Sequence, residues 1–389
     1  MRKIVAFLIV AFLSALTLFA GCAEVVDLRM RLVVHAIGVD IEEGDVLCVS
    51  FQTFTGEDIK SDSPIDVNRS NITTFNIYGR TIQEARENLV LQTGKDVIIS
   101  DTEIIILGES FLGRDISNVL TYFWDDSDVY MGTDIAFANG SAKDIIGRGL
   151  DYGVATSELL TKIIYATTMD CTTVSSRAVE VYNYLCEKGG ACVLPVLTLA
   201  KNSESSEDEQ SLIYGTVAGV ERNLLVVNRV PFAYLTLDET RGVNILRGSD
   251  QKLALVLDAG GVPVSVNIHL RGAKRSVEIL NGYPVISVKI TGDVSIADNP
   301  FTVPSEEIRK LSQTKILELC RQAFEKTAVE NGADVLQIGK LLRKYCSDYY
   351  FRSGDHYENI VKNTEYWVSC DLRMYEKEKN TTIPLEIKD

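Results

Sequence analysis

The residue with the clearest chemistry is Cys22, because of what precedes it. Met1-Arg2-Lys3 is a short basic start, Ile4 to Leu18 is almost wholly apolar, and Phe19-Ala20-Gly21 leads into the cysteine. A basic n-region, an apolar h-region and small residues before the cut describe an export leader. A cysteine at the first mature position turns that leader into a bacterial lipoprotein signal. Its thiol takes a diacylglycerol, residues 1–21 are cleaved off, and the new amino terminus is acylated. Phe19 stands where Leu is usual, with Leu18 one place further out; Ala20-Gly21-Cys22 is the more restrictive part. A plain leader or a spanning helix is the alternative, but the apolar run is short for roughly 30 Å of hydrocarbon. Each buried acyl methylene is worth about 0.8 kcal/mol, and more than one chain holds a protein stably on a bilayer. The chain is expected to be tethered to a membrane through Cys22, not threaded through it.

Other reactive residues are scattered. Beyond Cys22 there are Cys48, Cys171, Cys186, Cys192, Cys320, Cys346 and Cys370, an odd number that leaves at least one thiol unpaired. No C-x-x-C occurs, and Cys186 to Cys192 is too wide for a zinc knuckle. Buried free thiols are the expectation, with any pairing left open. His35, His269 and His356 are isolated from one another. No H-E-x-x-H, G-x-S-x-G, Walker A or G-x-G-x-x-G motif appears, and Gly147-Arg148-Gly149 does not follow a strand. Asp125-Asp126 reads as a solvated helix end, and Glu306-Glu307 as the complement of a helix N-terminus. The expectation is a chain that is not an enzyme, with no catalytic residues, no metal and no cofactor.

Charge and length narrow the partners. The formal net charge is −15, and removing Arg2 and Lys3 with the leader makes it −17. Such a surface repels phosphate backbones, so no nucleic acid is expected among the partners. A hydrophobic content of 46% supports proper cores, and the mature length suits two to three domains.

The elements that must position these residues are a mixture of both types. Leu32 to Val39 and Val46 to Phe54 alternate as strands about a turn at Glu42-Glu43-Gly44-Asp45. Thr81-Ile82-Gln83-Glu84 is a capping box opening a helix with Ile82, Ala85 and Leu89 inward, stopping at Gly94. Glu103 to Leu107 reads as a central strand. Asp115 caps a helix with Ile116, Val119, Leu120 and Phe123 inward. Met131 to Ala138 returns to strand, and Ser141 to Arg148, Ser157 to Ala166 and Val174 to Lys188 read as helices.

Lys201 to Ser211 has no apolar residue and reads as a linker between two α+β domains, 22–200 and 212–389. The second half opens with strands over Leu212 to Val220, Leu224 to Val227, Leu253 to Leu257, Val262 to Leu270, Ser276 to Leu280 and Pro284 to Ile296. A long helix from Ser305 should pack Ile308, Leu311, Ile316, Leu319 and Phe324 on that sheet, ending at Asn331-Gly332. Asp334 to Lys344 follows as a helix and Tyr366 to Tyr375 as a final strand. The fold class is α+β, with mixed or antiparallel sheets packed by helices, on a lipid anchor.

Several segments, in this order, resemble the C subunits of spore germinant receptors, the GerAC-like lipoproteins. They are Ala36-Ile37-Gly38-Val39-Asp40; Gly79-Arg80-Thr81 with Glu84-Ala85; Ile105 to Glu109 followed by Gly113-Arg114-Asp115-Ile116; Gly215-Thr216; Leu235 to Gly248; and Gly332 to Leu336 with Gly339. Ala218-Gly219-Val220-Glu221 departs from the family's more apolar run. The resemblance implies a non-catalytic assembly or signalling subunit on the outer face of the spore inner membrane. Its partners would be integral-membrane A-type and B-type receptor subunits. A substrate-binding lipoprotein of a transporter is the competing reading, and it requires two α/β lobes around a cleft. Within the motif Asp238 to Gly242, Glu239 and Arg241 are expected to pair across a structural turn.

Overall fold

The computed structural model describes residues 4–5, 30–54, 72–125, 129–147, 156–187, 189–201, 216–248, 250–299, 303–352, 354 and 357–375. The first two strands form where the alternation predicts them, as β1 (Arg31–Glu42) and β2 (Val46–Phe54), antiparallel about a turn with Gly44 and Asp45 left-handed. β3 (Ile72–Gly79) adds outside β2. Helix α1 (Ile82–Thr93) starts at Thr81, whose hydroxyl accepts from the Glu84 N–H at 3.1 Å and whose far end closes on left-handed Gly94. The Glu84 carboxylate reaches back to the Arg80 N–H at 2.7 Å, one residue before the partner a capping box uses.

The chain then runs through β4 (Asp96–Ile98), β5 (Ile104–Leu107), α2 (Ser117–Asp125), β6 (Asp134–Ala138), α3 (Ala142–Gly147), α4 (Thr156–Met169) and α5 (Ala178–Cys186). β7 (Ala191–Lys201), β8 (Thr216–Val227) and β9 (Val230–Leu235) complete a nine-stranded sheet of order β3-β2-β1-β5-β6-β7-β8-β9, with β4 also on β1. β5 is apolar because it is covered on both faces. Ile105 and Leu107 join one core with Leu89, Leu120 and Phe123, while Ile104 and Ile106 join the other with Ile145, Leu160 and Ile164. The first core holds the inward residues expected of α1 and α2.

Three expectations need correction here. Residues 174–177 are not helical: Ile135 donates to the Ser176 carbonyl and Asp134 bridges Arg177, so α5 begins only at Ala178. Lys201 is the last residue of β7, and the rest of the expected linker lies outside the described residues. Its flanks do not belong to separate sheets, because β7 pairs with β8 from Ala191↔Val227 to Lys201↔Thr216. The first sheet therefore continues to Leu235. Polarity marks a connection there, but pairing makes it a connection within one sheet.

Helix α6 (Leu237–Arg247) leads to the second sheet, β10 (Asp250–Asp258), β11 (Pro263–Leu280), β12 (Tyr283–Asp298) and β13 (Glu365–Met374), in that order. β11 is one strand where the sequence suggests two, bent at a bulge between Leu270 and Ala273 with Gly272 at φ 87°. β13 is parallel to β12; the other pairs are antiparallel. Helix α7 (Ser305–Phe324) packs against α6 and β13. Ile308, Ile316 and Leu319 are fully buried, and Leu311 and Phe324 lie half-buried against the same core. Each fully buried side chain of this kind contributes about 1.5–3 kcal/mol. That core also holds Val193, Leu225 and Leu235 from the first sheet, so the two sheets share it. Among the described residues no helix is long and apolar enough to cross a membrane.

Candidate functional site

Cys22 and His356 lie outside the described residues. His35 packs edge-on to Phe54, ring centroids 6.2 Å apart, and His269 bonds Asp250 through Nε2 at 2.7 Å. Nothing brings these two together, and among the described residues no group of three or more His, Cys, Asp or Glu is placed to hold a metal. The seven described cysteines are free thiols, four of them buried. Burial pushes Cys171 and Cys192 up to about 12, so both are neutral and poor nucleophiles at physiological pH.

What the motif residues do instead is join elements. Asp40, 6% exposed at the end of β1, accepts from the N–H groups of Ala142 and Lys143 at 2.9 Å each and from the Ser141 hydroxyl at 3.1 Å. It thus caps α3 from a hundred residues away, an N-cap supplied by a strand. Gly38 and Gly108 are glycines for this reason. A Cβ on Gly38 would meet Ile146 at 2.8 Å, and one on Gly108 would overlap the Asp40 carboxylate.

The motif from Asp238 to Gly242 is the first two turns of α6, not a turn between strands. Thr236 and Glu239 make the reciprocal capping box that starts it. Glu239 is occupied there, so Arg241 pairs elsewhere: with Asp238 at 3.0 Å and with Asp170 of the preceding loop at 2.9 Å. Asn223, wholly buried on β8, donates to the Thr172 carbonyl and to Thr240 Oγ1. Asn244 donates to the carbonyls of Cys171 and Thr173 at 3.0 Å each. On its other side, Gly242 lets α7 approach until a Cβ would overlap the Leu319 carbonyl. One helix therefore clasps loop 170–173 of the first half and the long helix of the second.

A third junction lies beyond α7. Asp334 accepts from the N–H groups of Ile338 (2.5 Å) and Gly339 (2.8 Å) and from Tyr357 Oη (2.6 Å). The cap forces Gln337 to φ 60°, so α8 (Ile338–Tyr345) starts four residues later than its periodicity suggests. A Cβ on Gly339 would overlap Tyr357 Oη. Burial raises Asp334 to about 6 against these hydrogen bonds, which pull it down. Burial also raises the Tyr357 phenol, with Asp334 adding to the shift. Arg247 and Arg275 hold the carbonyls of Val335 and Leu336 at 2.7 and 2.9 Å. The sequence motifs mark Asp334 and Gly339; Tyr357 and the arginines carry no such signal, because their partners are distant in the chain.

These junctions bring together no nucleophile, base and oxyanion donors among the described residues, and they suit a protein whose halves must be held in a fixed relation. Two family models match the chain: one described as "Spore germination protein N-terminal domain" over residues 24–199, and one described as "Spore germination B3/ GerAC like, C-terminal" over residues 229–376. A solved structure described as the crystal structure of the GerBC protein is similar, with a TM-score of 0.53 at 16% identity over 87% of this chain and 97% of that one. At that identity the likeness concerns the fold. A search of curated proteins finds no match.

Proposed function

The chain belongs to the GerAC-like family of spore germination proteins, and on that basis we propose that it is the C subunit of a spore germinant receptor. It is a non-catalytic assembly or signalling subunit, tethered through acylated Cys22 to the outer face of the spore inner membrane. Its partners are the integral-membrane A-type and B-type subunits. The observation that carries this reading is that both family models match, in order, on one chain; the basic start, apolar run and Ala20-Gly21-Cys22 ahead of them support the anchor. The arrangement around α6 supports it, since a clasp between two sheets can transmit or resist a displacement without any chemistry. A transporter's binding lipoprotein calls for two matched α/β lobes, and the four-stranded, largely antiparallel second sheet offers no second lobe of that kind.

The test is co-purification from spore inner membranes solubilised in mild detergent. Tagged wild-type chain should bring down both membrane subunits. Cys22→Ala should lose fatty-acid label, be left uncleaved or released, and impair germination. Equal label in wild type and variant would remove the anchor, and wild-type chain recovered without either subunit would remove the receptor assignment.

A further inference from the structure

A cavity of about 680 Å3 opens between α5 and α6. Its wall includes Glu180 and Tyr184 of α5, Asn244 and Arg247 of α6, Lys252 of β10, and Gln337. The volume falls within the roughly 300–1,000 Å3 common for small-molecule sites.

Arg247 is the unusual group on that wall. Its Nε donates to the Val335 carbonyl at 2.7 Å, and its guanidinium lies 4.5 Å over the Tyr184 ring. No carboxylate among the described residues lies within ion-pair distance of it, and Glu180 acts on it only from further away. Arg241, less than two turns earlier on the same helix, has two carboxylates. Burial lowers the pKa of Arg247, the direction expected when a cation is desolvated without full compensation.

Arg247 is half-buried with no carboxylate in contact, and a planar guanidinium is suited to a carboxylate. Lys252, exposed on β10, adds a second cation at the wall. Of the wall's acids, Asp250 is engaged by His269 at 2.7 Å, while Glu180 stays on the wall and opposes a dianion.

We propose that this cavity binds a small monocarboxylate, with Arg247 as its principal partner and Lys252 as a secondary one. The site is independent of the receptor assignment: it stands on Arg247 and the cavity alone.

Isothermal titration of the full chain in detergent micelles, with acetate, benzoate and inorganic phosphate as probes, tests it. At least one carboxylate should saturate a single site with a Kd of about 1 mM or tighter, and phosphate should bind at least about tenfold more weakly. Arg247→Lys keeps the charge and loses the fork, and should weaken binding about tenfold. Lys252→Gln, at an exposed position, should weaken it about threefold and keeps the test valid if the Arg247 variant does not fold. The proposal is overturned if neither carboxylate saturates by about 10 mM. Unchanged affinity in the folded variants, or phosphate binding as tightly as the carboxylates, would overturn it too.

Discussion

Asp40 and Gly108 share one space: the carboxylate that caps α3 occupies the position a side chain at 108 would need. The Gly108 N–H donates to the Val39 carbonyl at 2.9 Å, so the ends of β1 and β5 and the start of α3 meet at one point. Two segments separated by some seventy residues are thus specified by a single steric and hydrogen-bonding requirement.

Breaking either partner should destabilise the first sheet. Asp40→Ala leaves the first N–H groups of a buried helix end without acceptors, and should cost about 2 kcal/mol. Gly108→Ala should cost at least about as much, because the cap must move to admit the methyl. Urea unfolding followed by far-UV circular dichroism gives both values. A Gly108→Ala variant as stable as wild type would show that the carboxylate is free to leave.

Gly242→Ala reverses an ordinary expectation. In an exposed helix interior the change stabilises by about 1 kcal/mol. Here the new methyl falls on the Leu319 carbonyl of α7, so α6 and α7 must separate. Thermal unfolding should shift down by several degrees, on the order of 2 kcal/mol in stability. A rise in Tm would mean that the helices are not in contact at that point.

Why some of this was legible and some was not follows from the range of the interactions. The apolar run Ile104 to Leu107, the helical face of Ile308, Ile316 and Leu319, and the alternation in β13 are local patterns that burial imposes directly. Helix α6 was obscured because Asp238, Glu239, Arg241 and Gly242 resemble turn composition, although Thr236 and Glu239 stand at the same spacing as Thr81 and Glu84. The run after Lys201 resembled a domain boundary because composition records solvation and not whether the flanking strands pair. That no described carboxylate comes into contact with Arg247 has no sequence signal at all, since it depends on where distant parts of the chain place their acids.

Stability should depend on pH through Asp334. Its pKa is about 6 in the folded protein, raised by burial, against about 3.9 in an unfolded chain. Between those values the folded state holds a proton the unfolded state has released, so this contribution is fully present below about pH 4 and is lost as pH rises through 6. Its size is at most about 3 kcal/mol. Asp134, raised to about 6 by burial over the opposing effect of Arg177, acts in the same sense. Urea midpoints measured from pH 4 to 7 should fall less steeply in Asp334→Asn than in wild type. Parallel slopes would place the proton elsewhere.

Limited proteolysis distinguishes the two accounts of the polar run after Lys201. Eleven consecutive residues without an apolar side chain offer a protease a site that no core would protect. If the run joined two separate domains, a cut there would release two fragments. Because β7 and β8 pair along their whole length, and because Val193, Leu225 and Leu235 share a core with the second sheet, the halves have no free boundary at that point. The nicked chain should therefore run as two bands in denaturing gels and as one species in size-exclusion chromatography. It should come apart only at denaturant concentrations that unfold the intact protein, lowered somewhat because the cut removes the covalent closure of the hairpin. Fragments that separate under native conditions would show that the β7–β8 pairing is too weak to join them.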